Sequence, residues 1–346
     1  MPTKDILPEQ NERIVTFPWM GHDYTLLLKE SLEDLGIKVV LPPLISEHTV
    51  KLGVRHSSDM MCFPFKVTLG SLIEALDKGA NTLIAYDNCG QCRQRHYWKI
   101  YEFTLKNLGY KFELYPISRA TAIPVLKKIS NKSTFAAIKA CKKFFRKVKE
   151  HDDKKYKWSS EKLNIGIIGE IYTCCEEKIN YNIERKLRDL GVNPFNTANL
   201  SGFLKTDSKI SFSNVISLIM PARNQTDTIF IEKEWFDNSE KRKYKKLAKE
   251  YLNGPVGGHG FENIYNLLWM KDKNVDGIIH LLPLSCMPET TIEPFINEIC
   301  QKSDIPMLRL PIDDTNSEAN VDTRIETFVE LIKRKRGRQN EMLVGN

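Results

Sequence analysis

Short apolar runs alternate with helical patterns that stop at glycine, and no other feature limits the architecture of this chain so strongly. Arg13 to Phe17 is a first apolar run. Leu26, Leu27, Leu28, Leu32 and Leu35 then recur at helical spacing and stop at Gly36, and Ile37 to Leu41 is a second run closed by two prolines. Strand, helix and strand in that order make a βαβ unit. The plan recurs with a helix over Leu69 to Leu76, Gly79 and a strand Thr82–Tyr86. A helix through Tyr101, Phe103, Leu105 and Leu108 follows, then Gly109 and a strand from Phe112 to Tyr115. This alternation predicts an α/β fold whose parallel sheets are covered on both faces.

A second α/β region opens with the buried-strand run Leu163 to Glu170 and a helix from Ile183 to Leu190 stopped by Gly191. It continues with Asp276 to Pro283, a helix from about Thr291, a strand from Pro306 to Leu310 and a last helix from about Thr323. Between the two regions, Phe135 to Glu161 is basic and reads as helix plus connector. At roughly 150 residues per domain, a chain of 346 residues divides in two. The expected domains are 1–160 and 161–346, the second carrying a charged helical insertion at about 203–255.

Hydrophobic residues at 41% and charged residues at 27% exclude wholesale disorder. The net charge of +7 is concentrated between Lys142 and Lys157 and in the tail from Lys333 to Arg338. Both clusters read as solvated helix faces, so no nucleic-acid partner is expected. No apolar run is long enough to span a bilayer, and the first residues lack the apolar stretch of a secretory signal. The expectation is therefore a cytoplasmic protein with no membrane partner. Its eight cysteines should be reduced, serving as core residues, metal ligands or redox groups.

In open parallel sheets, ligands bind beyond the carboxyl ends of the strands. Cys89 and Cys92 follow the strand Thr82–Tyr86, and Cys286 follows the strand Gly277–Leu282. Cys62 precedes a helix expected to start near Val67. Three loops thus aim four thiols at one crevice. A CxxC pair presents two sulfurs to one centre, but zinc usually finds its remaining ligands nearby in sequence, and here they are remote. An iron–sulfur cluster tolerates dispersed ligands because each iron needs only one thiolate. The spacing therefore favours a cluster, while zinc, a dithiol redox pair and purely structural cysteines stay open. Cys141 and Cys300 fall on helical apolar patterns and read as core; Cys174 or Cys175 is a weaker candidate ligand.

Six segments in order resemble one known group. They are Cys62-Phe63-Pro64-Phe65-Lys66, Asp87-Asn88-Cys89-Gly90-Gln91-Cys92-Arg93, Gly169-Glu170-Ile171-Tyr172, Gly257-Gly258-His259-Gly260, Cys286-Met287-Pro288-Glu289, and Ser317-Glu318-Ala319 followed by Thr323-Arg324. Together they resemble the 2-hydroxyacyl-CoA dehydratase and benzoyl-CoA reductase superfamily, in particular its branch of CoA-substrate-specific enzyme activase-related proteins. The resemblance implies two or more Rossmann-like, doubly wound α/β domains with a [4Fe-4S] or double-cubane cluster between them, held by Cys62, Cys89, Cys92 and Cys286. It also implies low-potential electrons from an ATP-dependent activator, used for reduction or radical chemistry on a small substrate of the acyl-CoA type. A homodimer or a related subunit is a further implied partner. Dehydratase subunits of the group use three cysteines and leave one iron open. The fourth cysteine here also admits the alternative of a closed-cluster electron-transfer or scaffold subunit. The chain has neither G-x-x-x-x-G-K-[ST] nor G-x-G-x-x-G, so it reads as the electron acceptor and not the ATPase.

Glu170 and Glu289 end loops near strand termini, where a carboxylate can move protons or simply stabilise a helix start. His22 follows the first strand and is a third candidate catalytic residue. Arg93, Arg95 and His96 are read as offsetting thiolate charge, meeting an anionic substrate, or ordinary surface residues. Gly257 to Gly260 lines a phosphate or CoA, or makes a tight turn.

Overall fold

The computed structural model describes residues 12–87, 92–118, 121–201, 239–254 and 256–344. The first half runs β1 (Ile14–Thr16), α1 (His22–Glu33), β2 (Lys38–Val39), α2 (Glu47–Arg55), α3 (Phe63–Asp77), β3 (Thr82–Tyr86), a 3-10 turn (Arg93–His96), α4 (Tyr97–Asn107) and β4 (Glu113–Ile117). Two helices, α5 (Ala122–Ser130) and α6 (Thr134–Lys155), lead to the second half. There follow β5 (Asn164–Gly169), α7 (Ile171–Cys175), α8 (Ile183–Asp189), β6 (Asn193–Asn196), α9 (Ser239–Tyr251), α10 (Gly260–Asp272), β7 (Gly277–Pro283), α11 (Met287–Lys302), β8 (Met307–Ile312) and α12 (Glu318–Val344). Cys89 and residues 203–238 of the expected insertion lie outside the described residues.

The strands form two four-stranded sheets, ordered β2-β1-β3-β4 and β6-β5-β7-β8, and every neighbouring pair is parallel. These are two Rossmann-like units. In each, the chain starts on an inner strand, steps to one edge and then crosses to the other side. The switch points fall between β1 and β3 and between β5 and β7, so the loops after those four strands open onto the natural ligand crevices. The inner strands are buried along nearly their whole length, as helices on both faces require.

One apolar core joins the halves. Trp19, Ile45, Phe63 and Val67 pack in the same cluster as Ile165, Ile167, Ile279 and Leu281. Polar contacts cross the seam as well. The Tyr24 hydroxyl donates to Asp152 Oδ1 at 2.5 Å, whose Oδ2 accepts from the Ser201 amide at 2.8 Å. The Gly21 amide, in a residue with φ 84°, donates to Glu176 Oε2 at 2.8 Å.

Burial pushes the Glu176 carboxyl up to about 7, against an ordinary value of 4.5. Between those values the folded chain holds a proton that the unfolded chain has released, so stability falls as pH rises through that window. The loss is about 3 kcal/mol for a shift of this size. Replacing the carboxyl by an amide removes it. Urea denaturation at pH 5 and pH 8 should show Glu176→Gln gaining about 3 kcal/mol on the wild type between the two pH values. A constant difference would mean that Glu176 is solvated.

Two differences from the sequence reading matter. Helix α3 begins at Phe63, well before Val67, which makes Cys62 itself the residue that opens the helix. Strand β6 was not expected, because Asn193-Pro194-Phe195-Asn196 carries no apolar alternation. It sits at a sheet edge, where a proline does not cost a ladder bond on both sides.

Candidate metal centre

Three cysteines occupy equivalent positions. Cys62 is the N-cap of α3, Cys286 is the N-cap of α11, and Cys92 caps the 3-10 turn that runs into α4. Cys62-Phe63-Pro64 and Cys286-Met287-Pro288 are the same device, with proline in the first turn of each helix. There its missing N–H costs nothing and its fixed φ helps the helix start. Each sulfur is therefore placed at the positive end of a run of backbone amides.

The loops meet. The Phe63 amide, next to Cys62, donates to the carbonyl of Leu284 at 3.1 Å, which brings the loops from the two sheets together. Arg93, next to Cys92, donates from Nη1 to the Met60 carbonyl at 2.8 Å and from Nη2 to the Ser285 carbonyl. The sulfur of Cys62 also contacts the hydroxyl of Tyr97, whose ring lies edge-on to Phe65 at 4.8 Å.

Electrostatics agree with this convergence. Burial pushes the Cys62 thiol up to about 11, with the Tyr97 hydroxyl and the Phe65 amide pulling the other way and Glu170 and Cys92 adding repulsion. Burial raises Cys92, opposed by the Gln94 amide and by Arg93. Cys286 is raised well above the ordinary thiol value, first by burial and then by Glu289 and Glu170, and it also feels Cys62. Three thiols and two carboxyl groups thus share one low-dielectric region. Thiolates there require a cation.

Glu289 is fully buried in the first turn of α11. Its Oε2 faces His280 Nε2 at 2.8 Å, and Asn263 Nδ2 donates to Oε1 at 2.9 Å. Asn263 also clasps the backbone of Gly169 through both of its amide atoms, at 3.3 and 3.1 Å. Neither His280 nor Asn263 stands out in the sequence, since one lies within a strand and the other within a helix. Glu170 is the N-cap of α7, accepting from the amides of Tyr172 at 3.0 Å and Thr173 at 2.8 Å. Burial, the largest influence on it, raises its pKa. Both carboxyl groups thus have structural partners, and both add negative charge that the cysteines feel.

His22 is exposed in the first turn of α1, its ring 6.1 Å from that of Trp19, and among the described residues no hydrogen bond joins it to the cysteine loops. Cys300 is core and Cys141 is half-buried against the core. Cys174 lies in the joining core, and Cys175 donates its thiol hydrogen to the Ala198 carbonyl at 3.4 Å. Gly257 to Gly260 is a tight turn into α10, where the Gly260 amide reaches the Gly257 carbonyl at 3.5 Å and a side chain at Gly258 would press on Pro288.

The family described as 2-hydroxyglutaryl-CoA dehydratase, D-component, matches residues 212–332, which include Asn263, His280, Cys286 and Glu289. Over those residues the chain is similar to that family. The match spans about a third of the chain, all of it in the second half, so Cys62, Cys92 and Glu170 lie outside it. No curated protein matches the chain.

This donor set suits, by its chemistry, an iron–sulfur group. It offers thiols from three loops, each beside backbone amides, in a buried region. Among the described residues, no group of three or more His, Cys, Asp or Glu side chains is arranged to hold a single metal ion. Also among the described residues, no helix is long and apolar enough to cross a membrane.

Proposed function

We propose that this protein works as its partial similarity to the dehydratase family suggests, carrying an iron–sulfur cluster on Cys62, Cys92 and Cys286, with Cys89 as a fourth candidate ligand. It receives low-potential electrons from an ATP-dependent activator protein and directs them into reduction or radical chemistry on a small substrate of the acyl-CoA class. The observation that supports this reading is that the loops of three helix-capping cysteines, on two different sheets, are joined by the Phe63–Leu284 and Arg93 hydrogen bonds. When bound, the cluster supplies a low-potential site for single-electron chemistry.

The chain's own residues set the conditions. Phe65, Gln94 and Glu289 direct backbone amides at the sulfurs, and the Tyr97 hydroxyl adds a fourth polar contact. Arg93 offsets negative charge beside Cys92. Glu170 and Glu289 are the candidate proton-handling groups whose charge reaches the cysteines. Phe63 and Phe65 keep water from the buried side.

Anaerobic purification with iron and sulfide analysis tests this reading. About four irons and four sulfides per chain are expected for a [4Fe-4S] cluster. The reduced protein should give an EPR signal, and Cys286→Ala should lose most of its iron while remaining folded. An iron-free wild type would end the proposal. The CxxC motif supports a second reading, in which Cys89 completes the ligand set and the subunit only passes electrons. Cyanide or an acyl-CoA thioester should alter the EPR signal under the first reading and leave it unchanged under the second.

A further inference from the structure

We infer that Arg93 is a positioning residue, a staple that holds the three cysteine loops in register. The inference deepens the functional reading above and rests on it only for its consequence at the metal centre. Arg93 comes directly after Cys92, and its guanidinium reaches two backbone carbonyls on different loops. One belongs to Met60, two residues before Cys62; the other belongs to Ser285, next to Cys286. A planar guanidinium is suited to this because its donors diverge in a fixed fork, whereas an ammonium has no such geometry.

A second, independent feature points to the same staple. Ser285 has φ 60°, a left-handed conformation that a non-glycine residue adopts at a cost. Its carbonyl is the one Arg93 grips, so the hydrogen bond offsets the cost of the turn that presents Cys286. The positive charge beside Cys92 is therefore committed to carbonyls. Arg93 is exposed and belongs to no apolar core, so its loss leaves the fold intact.

The test compares wild type with Arg93→Ala and Arg93→Lys. In metal-free protein, amide hydrogen exchange read by mass spectrometry should speed up about tenfold in Arg93→Ala over residues 58–63 and 284–287, with α12 and the two sheets unchanged. Arg93→Lys should recover part of the protection, since it keeps the charge and a single donor. In protein reconstituted anaerobically with ferrous iron and sulfide, Arg93→Ala should lose iron to a chelator about tenfold faster. Its reduction potential should move negative and return in Arg93→Lys. Wild-type exchange in both loops of Arg93→Ala would overturn the staple, as would exchange raised equally throughout the molecule. The exchange measurement needs no cluster, so a wild type that binds no iron would refute the functional reading and leave the staple judged on its own.

Discussion

Gly53→Ala is expected to destabilise the protein by about 4 kcal/mol, at the upper end for a single added methyl group. Helices α2 and α3 cross with their backbones in contact. A Cβ on Gly53 would run into the carbonyl of Lys66, and one on Gly70 into the carbonyl of Thr49. Neither obstacle is the end of a flexible side chain, so the helices must separate. The hydrogen bond from Thr49 to Glu74, 2.6 Å long and buried between them, would break as well. Because α3 carries Cys62 at its start, the damage reaches the proposed metal centre, and on that proposal iron content should fall with stability. Gly337 in α12 is the control, since nothing lies within 4 Å of a Cβ built there. Gly337→Ala should stabilise slightly, by about 0.5–1 kcal/mol. Equal denaturation midpoints for the two variants would contradict the close crossing.

Glu289→Ala should cost about 3–5 kcal/mol, because it strips the partners from two buried polar groups at once. His280 and Asn263 both depend on the Glu289 carboxyl, and the Nδ1 atom of His280 already has no partner among the described residues. Glu289→Gln keeps the shape and an acceptor oxygen, so about 1–2 kcal/mol is expected. Asn263→Ala loosens the same network from the other side, including its clasp on Gly169, and the double variant should cost much less than the sum of the single changes. Additive costs in that cycle would show that the groups act separately. Glu289 also presents its amide to the Cys286 sulfur. Because Glu289→Ala loosens the start of α11 more than Glu289→Gln does, that amide is held less firmly, and on the proposed function iron affinity should fall further in Glu289→Ala.

The parallel α/β architecture was legible because it rests on local signals. The strand Thr82–Tyr86 carries its full length in the sequence, bounded by Gly79 on one side and the cysteine loop on the other. Strand β2 shrinks to Lys38–Val39 because apolar content alone does not tell how far a ladder runs. Helix α2 escaped notice since Glu47–Arg55 buries small residues, Thr49 and Gly53, in place of a leucine stripe. Cys62, Cys92 and Cys286 were recognisable from their place at strand and helix ends. The repeated Cys-x-Pro at the head of α3 and α11 was a sharper signal that spacing arguments passed over. Arg93 was read by charge alone, because its grip on Ser285 spans 192 residues and no motif encodes such a contact. His280 and Asn263 are invisible for the same reason.

The shared ownership of the sulfurs by two sheets has a consequence for how the protein is made. Cys62 and Cys92 leave the ribosome long before Ser285 and Cys286, whose loop closes the contact with Phe63 and Arg93. Until then the early thiols lack their counterpart and stand open to oxidants and stray ions in the cell. On the proposed function, iron delivery is thus tied to the completion of synthesis, and a truncated chain would carry the early thiols without the means to protect them.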